Sequence, residues 1–171
     1  MIIDTSILCV WLQVPEKETC GSDKNKWDKE RVDPILNEDR LKKEKITCVL
    51  PLAVIIETGN HIAQAETNQR YEIAQKLAEL MKKTADNTTP WAAFTQQAEL
   101  WDAEKLKQLA EEFPQFATQS LAFGDLTIKK VADFYAQLGS EVEILTGDRG
   151  LKSHEPPKPT LIPRRRQKKK S

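Results

Sequence analysis

Cysteine is scarce in this chain of 171 residues: Cys9, Cys20 and Cys48 are an odd number and form no Cys-x-x-Cys pair. That argues against a disulfide framework and against zinc or redox chemistry, and reads as reduced thiols, two of them on apolar segments. Long apolar runs are missing too. No stretch approaches the roughly 20 residues that a membrane span requires, so no membrane partner is expected. Met1-Ile2-Ile3-Asp4 lacks the positive start and apolar stretch of an export signal, which predicts a cytoplasmic chain. No internal repeat of fixed period is visible. The composition that remains, 39% hydrophobic and 30% charged residues, is that of a globular protein. Its length suits one domain able to bury a core without disulfide or metal staples.

A formal charge of zero conceals an asymmetry. The end, Arg164 to Ser171, holds six of the 26 basic residues and no acid, which leaves 20 basic against 26 acidic residues in the rest. A polyphosphate would be repelled by that body unless cations neutralise its acids or basic patches guide the strand. The tail, with Arg164, Arg165 and Arg166 followed by three lysines, comes after Pro156, Pro157, Pro159 and Pro163. It reads either as a solvated, solubilising end or as a flexible arm gripping phosphates.

The chain alternates strand-like and helix-like segments. Strands are expected at about Met1 to Ser6, Ile46 to Leu50 and Val142 to Thr146, with a short one at Thr160 to Ile162. Helical spacing predicts helices over Ile7 to Val14, within Trp27 to Lys45 with an interruption at Pro34, and from Leu52 to Ala65 behind Pro51. Further helices are expected from Tyr71 to near Asp86, over Ala103 to Phe113, where Pro114 should end it, and from Asp125 to Leu138, ended by Gly139. Trp91 to Phe94 reads as a short strand or a helix start. The alternation predicts an α/β fold with a parallel sheet and helices on both faces.

Four acids stand out against this pattern. Asp4 closes the apolar run Met1-Ile2-Ile3, and Asp148 follows Val142 to Gly147, so both lie at carboxyl ends of expected strands, the edge where open parallel sheets bind ligands. Glu57 sits beside the apolar face of its helix, and Asp125 follows Gly124 at a helix start. Gathered together, these carboxylates would hold Mg²⁺ or Mn²⁺, hard cations that prefer oxygen ligands and keep several waters. Such an ion activates water and neutralises charge on a leaving oxygen, the requirements of phosphodiester hydrolysis. Taken singly, Asp125 also reads as a helix cap, Asp148 as a turn residue and Glu57 as a solvated helix acid. Arg149 and Lys152 read as phosphate contacts or solvated charge, and Lys129 as a salt-bridge partner or a phosphate contact. His61 and His154 do not suggest a ligand pair. Trp11, Trp27, Trp91 and Trp101 read as core or partner-packing residues.

Ile3-Asp4-Thr5-Ser6, Glu57, Phe123-Gly124-Asp125-Leu126 and Leu145-Thr146-Gly147-Asp148-Arg149, in that order and each on the matching type of element, resemble the PIN domain family over about Met1 to Leu151. The resemblance implies a three-layer α/β/α sandwich around a parallel sheet of about five strands, spanning residues 1–155, with a proline-rich and then basic tail over 156–171. It implies Asp4, Glu57, Asp125 and Asp148 as catalytic metal ligands for Mg²⁺ or Mn²⁺, with Ser6 and Thr146 as hydroxyls that orient carboxylates or waters. The implied activity is metal-dependent endonuclease cleavage of RNA, DNA being the second candidate substrate. In this family the activity most often belongs to the toxin of a type II toxin–antitoxin pair, so an antitoxin or larger protein partner and self-association as a dimer are expected with it. Two alternatives remain, a nuclease subunit of a larger defence-type assembly and a non-catalytic protein-binding module of the same fold. The chain departs from the pattern in its long, charged segment between the first two strands and its short, proline-rich segment after Asp148.

Overall fold

The computed structural model describes residues 1–66, 68–92, 98 and 100–159. Strand β1, Ile2–Ile3, pairs in parallel with β2, Ile144–Leu145, with Ile2 opposite Ile144 and Ile3 opposite Leu145. Single parallel bridges flank this pair, joining Ile2 to Val49 and Cys48 to Trp91. Eight α-helices surround it among the described residues: α1 Thr5–Leu12, α2 Lys29–Ile35, α3 Glu38–Glu44, α4 Leu52–Gln64, α5 Arg70–Ala85, α6 Ala103–Ala117, α7 Phe123–Gln137 and α8 Arg149–Lys152.

The expected α/β/α sandwich with about five strands is thereby overturned. The protein is mostly helical, and the sheet among the described residues has two strands. The cause lies in how early the helices start. Asp4 N–H still donates to Leu145 O at 3.1 Å, yet α1 begins at Thr5, so the strand expected to reach Ser6 stops at Ile3. Pro51 likewise turns the chain from Leu50 directly into α4. Ile46 to Leu50 is left with isolated bridges at Cys48 and Val49. The segment 93–97, the expected strand at Thr160 to Ile162 and the basic tail lie outside the described residues.

Two prolines also behave differently from expectation. Helix α6 continues through Pro114 to Ala117; one backbone bond is forfeited there, while Phe116 beyond it is buried with Leu109, Leu121 and Leu126. Pro34 sits inside α2. The break toward α3 falls instead at Leu36 and Asn37, where the Asn37 side chain accepts from Arg40 N–H at 2.9 Å, a cap worth about 1 kcal/mol.

The main core lies between the strands and helices α1, α4, α5 and α7, with Ile3, Ile7, Leu8, Val54, Ile128, Val131 and Ile144 fully or nearly fully buried. Truncating one of these to alanine should cost about 2 to 5 kcal/mol. Trp91 is buried and stacks on Trp11 at 6.2 Å between ring centroids. Cys9 and Cys48 are buried in the same core, and burial pushes each thiol up to about 11. No helix among the described residues is long and apolar enough to cross a membrane. For function, the decisive feature is that α1, α4 and α8 all start just past the carboxyl ends of the extended segments, so their first turns meet at one edge.

Candidate functional site

That edge opens into a cleft of about 610 Å³, and Asp4, Glu57, Asp125 and Asp148 all line it. Asp4 precedes α1 and is buried. Its Oδ2 accepts from Ser6 Oγ at 2.6 Å and from Thr146 Oγ1 at 2.8 Å, so the two hydroxyls fix one carboxylate from opposite ends of the chain. Thr146 Oγ1 in turn accepts from Asp148 N–H at 2.9 Å, which ties the start of α8 to the same network.

Glu57 reaches the cleft from the second turn of α4, and its Oε2 accepts from Thr5 Oγ1 at 2.7 Å. Its other oxygen lies against Gly124 on α7. A Cβ at Gly124 would stand 2.1 Å from Glu57 Oε1, so the missing side chain is what lets the two helices bring Glu57 and Asp125 together. Asp125 Oδ2 accepts from Ala122 N–H at 2.7 Å in the first turn of α7. Asp148 caps α8, its Oδ1 accepting from Gly150 N–H at 2.5 Å and from Leu151 N–H at 3.1 Å. The capping roles are thus real for Asp125 and Asp148, and they coexist with a place in the cleft. Among the described residues these bonds use one oxygen of each carboxylate.

Burial raises the carboxyl of Asp125 above its ordinary value; its bond from Ala122 N–H opposes this, and the negative charges of Asp4, Asp148 and Glu57 add to the rise. Nearby negative charge of this kind disfavours the ionised form of Asp125. Among the described residues none of the four acids is in an ion pair with a lysine or arginine. Nor, among the described residues, does any group of three or more His, Cys, Asp and Glu side chains stand close enough to cage a metal ion unaided. The donor set is nonetheless all oxygen, and Mg²⁺ is commonly held by one or two carboxylates with water completing its shell. By donor chemistry the residues fit such an ion.

The basic residues divide. Arg149 lines the cleft, with Nη2 at 3.4 Å from Ser22 Oγ. Lys152, one turn on, faces away and donates to Ile144 O at 2.9 Å and to Glu155 at 2.5 Å. Lys129 pairs with Asp133 on α7 at 2.5 Å. Arg164, Arg165 and Arg166 lie outside the described residues.

Several cleft residues were missed in the sequence. His61 lines the cleft four residues after Glu57, on the same face of α4. That spacing is the available signal; His154 packs on Phe116 instead. Thr5 was readable as the neighbour of Asp4. Cys20, Gly21 and Ser22 form one wall, held by paired backbone bonds between Cys20 and Trp27 at 3.0 and 2.8 Å, with Gly21 at φ +86° in the turn. Comparison with protein-family models, curated proteins and solved structures finds no match to this chain.

Proposed function

We propose that this chain is an endonuclease that hydrolyses phosphodiester bonds in RNA with Mg²⁺ or Mn²⁺, and that it works in a reducing, cytoplasmic compartment. The observation that carries the reading is the convergence of Asp4, Glu57, Asp125 and Asp148 on one cleft with no cationic partner among the described residues. Uncompensated carboxylates in one place weaken a fold, and proteins tolerate such local conflict chiefly at functional sites. The same four acids carry the resemblance to PIN nucleases; the reading rests on the cleft and not on the sheet.

In this reading one or two of Asp4, Glu57, Asp125 and Asp148 would hold the ion directly, with water completing its shell and the remaining carboxylates reaching it through that water. When bound it supplies a Lewis acid and a water of lowered pKa. Ser6 and Thr146 keep Asp4 in one orientation, Thr5 does the same for Glu57, and caged orientation of this kind typically governs the affinity of a metal site. Arg149, which lines the same cleft, would contact a phosphate that approaches the acids.

The test is a cleavage assay of the full chain on unstructured and duplex RNA and DNA, with Mg²⁺, Mn²⁺ or chelator, alongside thermal melts at each metal concentration. Metal-dependent cleavage is expected, with stabilisation of about 2.7 kcal/mol once the ion stands at 100 times its Kd. Cleavage that survives chelator, with no metal-induced rise in Tm, would overturn the reading.

A further inference from the structure

We infer that the apolar groove beside the carboxylates seats an unpaired nucleobase of the strand being cut, with Phe123 as the stacking face. This deepens the nuclease reading and rests on it.

The groove has a volume of about 310 Å³, lies between the first turns of α4 and α7, and is lined by Leu52, Ile56, Trp101 and Phe123. Leu52, Ile56 and Phe123 remain 39%, 54% and 43% exposed. Single exposed apolar residues are ordinary, but a contiguous set is the usual mark of a binding surface. Continuity decides what binds there. Glu57 and Gly124 line the groove and Glu57 also lines the acidic cleft, so the two are adjoining chambers with one shared wall.

A nucleotide has the matching division. Its phosphate is charged and belongs over the metal and the oxygen donors; its base is flat, uncharged and apolar on its faces. Phe123 is suited to receive that face because Phe113 meets it edge-on, with centroids 5.1 Å apart and planes at 89°. The ring is thus braced before anything binds, and little side-chain freedom is left to lose. A base in a duplex is already stacked on both sides and cannot enter such a slot, whereas a single strand can splay one out. A segment of another protein or a second copy of this chain would also cover apolar surface, but neither has a reason to need the border with Glu57.

The experiment compares kcat/KM of the full chain on an unstructured RNA oligonucleotide, the same RNA in a duplex, and a series with one abasic position scanned through it. Wild type, Phe123→Leu and Phe123→Tyr are each used after their melting temperatures are checked; leucine retains the apolar packing without the π face, and tyrosine retains both. Wild type should prefer the single strand and lose about tenfold at one abasic position near the cut, the order expected for one base–aromatic stack. Phe123→Leu should lose about tenfold on intact RNA and become indifferent to that abasic position, while Phe123→Tyr keeps the wild-type pattern. Equal cleavage of duplex and single strand, or independent and additive losses from Phe123→Leu and the abasic position, would overturn the base seat while leaving the nuclease reading intact. So would a dimer in sedimentation that Phe123→Leu dissociates, since the groove would then serve self-association. If wild type cleaves nothing under any metal, the nuclease reading fails separately. Binding of the single strand then decides: weaker binding by Phe123→Leu than by wild type supports the seat, and equal or absent binding refutes it.

Discussion

The two edges of the small sheet carry opposite solutions to the same electrostatic problem. At the amino edge, the larger opening of about 800 Å³ is bordered by Glu141 and Glu143, and both have cations: Lys158 at 2.6 Å from Glu141, Lys152 at 4.0 Å from Glu143. Even the Met1 amino group there donates to Thr47 O at 2.8 Å. At the carboxyl edge, the smaller cleft collects four acids whose partners are hydroxyls and backbone N–H groups. Size therefore does not identify a site in this molecule. What supports the proposed site is acidic charge that, among the described residues, forms no ion pair, because the fold keeps it although pairing was available at the other edge.

The largest expected effect follows from that contrast. Asp4→Asn or Asp148→Asn should lower cleavage by more than the roughly 100-fold typical of losing an outer partner of a metal ligand, at nearly constant volume. Glu143→Gln, at the compensated edge, should leave turnover unchanged. Steady-state kinetics on all three variants decide it. Equal losses at both edges would dissolve the distinction, and wild-type turnover in both aspartate variants would remove the acids from the chemistry.

Gly124→Ala sharpens the same comparison without touching a charge. The added Cβ would meet Glu57 Oε1 at 2.1 Å, so the carboxylate must swing away from its place against α7. A displacement on the order of 1 Å in a catalytic group costs about 100-fold. The helix itself gains from alanine in place of glycine, by up to about 1 kcal/mol. Activity should fall while Tm holds or rises, read from kinetics and a thermal melt of one sample; a parallel fall in both would make Gly124 a packing residue only.

How much of this was legible in sequence follows from which interactions are local. Helix α4 was readable from Pro51 and the spacing behind it, and is observed over Leu52–Gln64; α7, Phe123–Gln137, starts two residues before its expected Asp125. The placement of Asp4 and Asp148 at the ends of apolar runs was readable for the same reason. The extent of the sheet was not. Ile46 to Leu50 and Val142 to Thr146 have strand composition, but a strand exists only where a neighbour pairs with it, and the early starts of α1 and α4 remove those neighbours. The approach of Glu57 to Gly124 was equally hidden, because it depends on how two helices distant in sequence pack. Lys152 and Arg149 looked alike as neighbours of Asp148, and only the short turn of α8 sends one into the cleft and the other back to Ile144 O.

Thr146→Val tests the hydroxyl network that takes the place of cations at the acidic edge. The variant keeps shape but removes the donor to Asp4 Oδ2 and leaves Asp148 N–H without its acceptor. Losing a bond to a charged group and orphaning a backbone donor should cost about 2 kcal/mol, or roughly 5 °C in Tm for a chain of this size. Cleavage should fall about 10- to 100-fold through the lost orientation of Asp4. Ser6→Ala, which removes the other donor at a more exposed position, should cost less on both readouts. Denaturant unfolding and kinetics on the pair test the order; a larger loss in Ser6→Ala would put the orientation of Asp4 in the wrong hands.

The smallest effect concerns stability and its dependence on pH in metal-free protein. The carboxyl of Asp125 is raised by burial and by its acidic neighbours, so the folded state favours its protonated form more than the unfolded chain does. The sign follows: ionised Asp125 weakens the fold at all pH above its folded-state value, and the penalty disappears as pH falls through that value toward the unfolded carboxyl near 3.9. Asp125→Asn removes the charge while its side-chain oxygen can still accept from Ala122 N–H. At pH 7, with chelator present, the variant should melt higher by about 1 °C, a small gain because the group is only half-buried and solvent screens its neighbours. The gain should shrink toward zero as the pH approaches 4 and wild-type Asp125 itself becomes neutral. At saturating Mg²⁺ the order should reverse, since wild type then binds the cation better and draws linkage stabilisation from it. Melting curves of both proteins across pH, with and without metal, measure all three differences; a variant gain that persists unchanged at low pH would show that the charge of Asp125 is not what strains the cleft.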